Sequence, residues 1–96
     1  MEKSKTIISP SLLSADFSDL KTAIGMINRS EADWLHCDVM DGVFVPNISF
    51  GFPVIQALKG ICEKPLDAHF MIVKPERYID VAAKAGVSIM TVHQEA

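Results

Sequence analysis

Three short segments carry the residues able to do chemistry. They are His36-Cys37-Asp38-Val39-Met40, Asp67-Ala68-His69-Phe70-Met71 and Ser9-Pro10-Ser11-Leu12-Leu13. In an extended chain, side chains alternate between two faces. His36, Asp38 and Met40 then share one face of their strand. Asp67, His69 and Met71 share one face of another, and Ser9, Ser11 and Leu13 share one face of a third. If these strands are parallel neighbours, Ser11, His36, Asp38 and His69 meet at one end of the sheet. Active sites of α/β sheets form where strands run into their loops. Two histidines and a carboxylate are a suitable divalent-metal set, and Asp38 can also accept a proton. A metal and a base beside a carbonyl group suit proton abstraction α to that carbonyl. Pattern alone leaves a second reading open. A histidine on a strand is often a satisfied structural residue, and Met40 and Met71 are as readily core packing as a soft pocket wall. Asp67 reads as a hydrogen-bonding support and His93 as structural, whereas Gln94 and Glu95 can be read either way.

The elements that must position these groups alternate along the chain. Residues 6–13 (TIISPSLL) read as a first strand, with Pro10 forcing an edge position or a local irregularity because it has no N–H to donate. Residues 16–30 read as a helix with Phe17, Leu20, Ile24 and Ile27 on one stripe, started by Ser14 or Asp16. Residues 33–40 form a second strand. Residues 41–51 form a long loop rich in Gly, Pro and Asn. A short helix over 53–61 begins at Pro53. A third strand covers 66–73. A third helix covers 75–85, buries Tyr78, Val81, Ala82 and Ala85, and stops at Gly86. A fourth strand covers 87–93. The order βαβαβαβ predicts an α/β fold with parallel strands joined by helical crossovers, in one domain over residues 1–96.

Composition excludes several classes. The 96 residues are 49% hydrophobic and 22% charged, the balance of a folded globular domain rather than a disordered chain. Nine Lys and Arg against twelve Asp and Glu give a net charge of −3, so no nucleic-acid partner is expected. No apolar run reaches the ~20 residues of a membrane span. The N-terminal MEKSKTIISP has Lys3 and Lys5 but no apolar signal core. Cys37 and Cys62 form neither a CxxC pair nor zinc spacing, and read as free thiols in a cytoplasmic protein. Four parallel strands with three crossovers leave two open edges, which predicts part of a larger barrel, or one that associates with another copy into a homo-oligomer.

Three blocks, ISPSLLSADF (8–17), LHCDVMDGVFVPNISFG (35–51) and DAHFMIVKPE (67–76), together with VHQEA (92–96), resemble the ribulose-phosphate 3-epimerase family in order and spacing. The resemblance implies the N-terminal half of a (β/α)8 TIM barrel. It implies a metal-dependent isomerase of the pentose phosphate pathway that inverts C3 of D-ribulose 5-phosphate to give D-xylulose 5-phosphate through an enediolate. It makes Ser11 a substrate contact and His36, Asp38 and His69 metal ligands, with Asp38 also the acid/base and His69 also touching substrate. Met40 and Met71 line the pocket, and the 41–51 loop covers it, with Gly42 and Asn47 in its turns. One divalent cation is expected: iron(II), zinc, manganese or cobalt. The family also uses a second aspartate and phosphate-gripping loops on later strands, beyond these residues, so the 96-residue chain alone is expected to be incomplete for catalysis. Two other readings accompany this one. One is a hexulose-phosphate (allulose 6-phosphate) 3-epimerase; the other is a non-catalytic barrel fragment that self-associates. Decarboxylases of similar fold place a lysine between two aspartates, and residues 36–41 contain none.

Overall fold

The computed structural model describes residues 6–96; Lys3 and Lys5 of the N-terminal segment lie outside them. Three strands, β1 (Leu35–Met40), β2 (Leu66–Met71) and β3 (Val87–Val92), form one sheet in the order β1-β2-β3. Both pairings are parallel. Three helices, α1 (Leu20–Arg29), α2 (Phe52–Lys59) and α3 (Ile79–Ala85), alternate with them. The α/β alternation expected from the sequence is therefore present. Among the described residues, no helix is long and apolar enough to cross a membrane.

The first expected strand is the main difference. Residues 6–10 have no regular assignment, and Leu12–Ser14 form a 3-10 turn. What remains of strand pairing is a single parallel bridge between Ser11 and His36. The segment still runs beside β1: Ile8 O accepts from Asp33 N and Trp34 N, and Pro10 O accepts from His36 N at 2.8 Å. Pro10 offers carbonyls but no N–H, so a reciprocal ladder cannot propagate through it.

The helix edges shift for equally local reasons. Asp16 accepts from Ser18 N at 2.9 Å and caps a 3-10 turn over Phe17–Asp19. Asp19 then caps α1 by accepting from Thr22 N. Phe17 thus falls outside the helix; it is exposed and rests against the Phe50 ring at 5.8 Å. Similarly, Pro75–Tyr78 form a 3-10 turn before α3. The change of winding leaves Val81 exposed, contrary to its expected burial, while Ala82 and Ala85 are buried. Gly86 caps α3 at φ +110°. A Cβ there would come 2.5 Å from Lys59 Cδ, so the position needs glycine for both conformation and space.

The core lies on one face of the sheet. Leu35, Cys37 and Val39 of β1, with Leu66, Ala68 and Phe70 of β2, pack against Ile24, Ile55, Leu58, Ala82 and Ala85. The opposite face of the same strands is only half-buried and carries His36, Asp38, Met40, His69 and Met71.

Cys37 and Cys62 are both free thiols. Burial first, then the charges around it, pushes the Cys37 thiol up to about 12. The thiolate is the reactive form, so Cys37 is expected to resist iodoacetamide in the native protein and to react on unfolding. Mass-spectrometric labelling under native and denaturing conditions checks this; native labelling at a free-thiol rate would contradict the burial.

Candidate metal and acid/base site

Strand register builds the site. His36 lies opposite Asp67, Asp38 opposite His69 and Met40 opposite Met71. Paired residues of a ladder point to the same side, so these six side chains occupy the sheet face away from the helices. The expected convergence of His36, Asp38 and His69 is present. One ligand atom from each lies within 4.8 Å of the others. His36 Nε2 is 3.0 Å from Asp38 Oδ1, and His69 Nδ1 is 3.3 Å from the same oxygen.

The His36 ring lies between two carboxylates, those of Asp67 and Asp38. Asp67 Oδ2 accepts from His36 Nδ1 at 2.8 Å and from the Ser9 hydroxyl at 3.2 Å. A neutral imidazole carries one N–H. If Nδ1 donates to Asp67, then the Nε2 lone pair faces the Asp38 carboxylate. Either a second proton or a metal ion must sit between them. Burial draws the His36 pKa down, but the hydrogen bonds and charges of Asp67 and Asp38 outweigh it and leave the value raised. In the metal-free protein, protonated His36 therefore adds stability that is full below the ordinary imidazole value. That contribution is lost as pH rises through the raised one. The three-residue group can hold a metal ion. Its donors, two imidazole nitrogens and a carboxylate oxygen, suit a borderline divalent cation. A ligand histidine held from behind by a carboxylate is the usual support of such sites.

Asp67, read from the sequence as a support, is placed as one. Met40 and Met71 form the next pair along the same face, toward the loop end. The Ser11–His36 bridge sets Ser11 beside β1, but its hydroxyl accepts from Leu13 N at 3.3 Å and so caps the 3-10 turn. His93 was not expected at the site. Its Nε2 lies 2.8 Å from His69 Nε2. The signal for it is non-local: the β2–β3 register shifts between Leu66 and Asp67, which sets Thr91 opposite His69 and carries His93 just beyond.

The 41–51 loop folds back over the end of β1. Asp41 Oδ1 accepts from Val43 N and Phe44 N, both at 2.8 Å, and Asp41 Oδ2 accepts from Val73 N at 2.9 Å. Those donors, Val73 first, hold the Asp41 carboxyl below its ordinary value against an opposing effect of burial. The Ser49 hydroxyl donates to Asp38 O at 2.6 Å and accepts from Met40 N at 2.9 Å. Gly42 turns at φ +77°, and Asn47 Oδ1 accepts from Ile48 N. The Phe44 ring reaches His93 at 5.0 Å.

Comparison with known proteins identifies the family of the chain. The model of the ribulose-phosphate 3-epimerase family matches residues 7–96. A ribulose-phosphate 3-epimerase of Synechocystis is 49% identical over 89 residues, covering 93% of this chain and 39% of the relative. One from Bacillus subtilis is 48% identical, covering 93% and 41%. The chloroplastic ribulose-5-phosphate-3-epimerase of Arabidopsis thaliana is 47% identical over 93 residues, covering 97% and 33%. The chain thus spans about a third to two fifths of the length of these relatives. Its parallel βα units are consistent with the N-terminal part of a TIM barrel. With nearly its whole length matched, the chain belongs to the ribulose-phosphate 3-epimerase family.

Proposed function

We propose that these residues are the N-terminal part of a (β/α)8 barrel that interconverts D-ribulose 5-phosphate and D-xylulose 5-phosphate. The observation that carries this is the convergence of His36 Nε2, Asp38 Oδ1 and His69 Nδ1 on the half-buried sheet face. His36, Asp38 and His69 hold one divalent cation: iron(II), zinc, manganese or cobalt. When bound, that cation supplies positive charge to stabilise the enediolate oxygens. Asp38 removes or returns the C3 proton on one face of the substrate. Inversion needs a second acid/base on the opposite face, supplied by the rest of the barrel. Met40 and Met71 present an apolar wall to the planar intermediate and limit water access. Ser11, beside His36, contacts the substrate by turning its hydroxyl from the Leu13 cap. The Asp41–Val73 tether and the Ser49 bonds hold the covering loop against this end of the strands.

The test is coupled turnover of the full-length protein with ribulose 5-phosphate, and with allulose 6-phosphate in parallel. Ribulose 5-phosphate is the expected preferred substrate. Prolonged chelation should remove activity, and one of the four cations should restore it. No turnover of ribulose 5-phosphate by metal-loaded protein would overturn the reading, and a preference for allulose 6-phosphate would reassign the substrate.

A further inference from the structure

We propose that Asp41 is a positioning residue that joins the covering loop of β1 to the loop following β2, so that the two close over the site as one piece. β1 and β2 end side by side at Met40 and Met71. Asp41 comes next, and each part of it is engaged differently. Its backbone pairs with Ile48 in an antiparallel bridge that turns the 41–51 loop back on itself. Its Oδ1 accepts from Val43 N and Phe44 N, both at 2.8 Å, within that loop. Its Oδ2 crosses to the neighbouring loop and accepts from Val73 N at 2.9 Å. A carboxylate accepts at both oxygens and donates at neither, which suits it to these three N–H groups. The Val73 side needs such a hold. Lys74, the next residue, lies in the left-handed region at φ +49° and precedes Pro75. A non-glycine residue keeps that conformation only where its surroundings enforce it. Lys74 O accepts from Arg77 N at 3.2 Å on one side of the turn, and Asp41 takes the Val73 N–H on the other. The same carboxylate places Phe44, whose ring lies 5.0 Å from that of His93 beyond β3. One side chain at the end of β1 thus organises the cover across all three strand ends.

The inference rests on the proposed function for its kinetic readout, and the test separates the two. Amide exchange is followed by NMR in full-length wild type, Asp41→Asn and Asp41→Ala. Asparagine keeps Oδ1 for the Val43 and Phe44 amides but sets an NH2 group, a donor, against Val73 N–H. Asp41→Asn should speed exchange at Val73 by about 10-fold and leave Val43 and Phe44 near their wild-type rates. Asp41→Ala should speed all three. At saturating metal, Asp41→Asn should raise the KM for ribulose 5-phosphate by about 10-fold, the worth of one hydrogen bond to a charged group. Its kcat should change by less than about 3-fold, the pattern of lost binding rather than lost chemistry. Zinc affinity should match wild type, because Asp41 bonds to none of His36, Asp38 and His69. Unchanged exchange at Val73 in Asp41→Ala would show that the loops are not joined here. Faster exchange with an unchanged KM would show a tether that does not serve the substrate. Zinc affinity falling in Asp41→Asn would route its effect through the metal centre. Each of these overturns the assignment. Failure of the proposed function looks different: metal-loaded wild type does not turn over ribulose 5-phosphate, while exchange at Val73 still decides whether Asp41 joins the loops.

Discussion

Asp38→Asn in the full-length protein is expected to lower kcat by about 10²–10⁴-fold, the usual contribution of a general acid/base, with little change in the unfolding midpoint. Asparagine has nearly the same shape, and the anchoring of this part of β1 runs through the Asp38 backbone carbonyl, which accepts from Ser49. The lost property is basicity: an amide oxygen cannot take the C3 proton. Asparagine is also a poorer ligand, so turnover is measured at saturating metal. Solvent-deuterium exchange at C3 should fall in parallel with turnover, because both need the proton transfer. The metal-free variant has a second signature. The hydrogen bond and charge of Asp38 help to raise the His36 pKa, so that pKa should move down, visible by NMR titration. Near-wild-type turnover would remove Asp38 from the acid/base role.

The fold was legible in the sequence wherever a strong local pattern met a matching partner. The alternation of His36, Asp38 and Met40 with Cys37 and Val39 anticipates the half-buried and buried faces of β1. The same holds for His69 and Met71 against Ala68 and Phe70. Gly86 marked the end of α3 for a conformational reason that the structure shares. The first strand was not legible as it stands, because apolar composition hid how far one missing N–H at Pro10 disrupts a ladder. Helical spacing continued through Pro75–Tyr78 places Val81 on the buried face, but those residues wind as a 3-10 turn with a different angular step and Val81 is exposed.

The site was legible to the extent that it depends on alternation within one strand. His36, Asp38 and His69 required only the assumption that β1 and β2 are neighbours. His93 required the register of β2 against β3, including an irregularity between Leu66 and Asp67 that no composition signals. A histidine at a strand end has no local mark that separates a place beside the site from a buried structural one.

The same alternation predicts that adjacent residues on β2 fail in different ways. Phe70 is completely buried. It sits on the central strand opposite Val39 and Val92, and its ring meets Phe52 at 6.1 Å. Phe70→Ala removes most of that side chain from a site bounded by sheet and helices, where little can move in to fill the gap. The expected cost is about 3–5 kcal/mol, a large share of the ~5–15 kcal/mol typical of a folded domain. His69 is one residue earlier, on the half-buried face, and it packs against polar groups rather than the core. His69→Ala should leave the unfolding free energy from urea titration within about 1 kcal/mol of wild type, as substitutions outside the core generally do. It should nevertheless abolish tight metal binding. Phe70→Ala, by contrast, should keep its metal affinity per folded molecule, because His36, Asp38 and His69 all point away from the cavity it creates. Urea unfolding and zinc titration of the two full-length variants give the four values needed. If Phe70→Ala unfolds at the wild-type midpoint, the helix-facing side is not the dominant core. If His69→Ala unfolds as readily as Phe70→Ala, the division of β2 into a stabilising face and a chemical face is wrong.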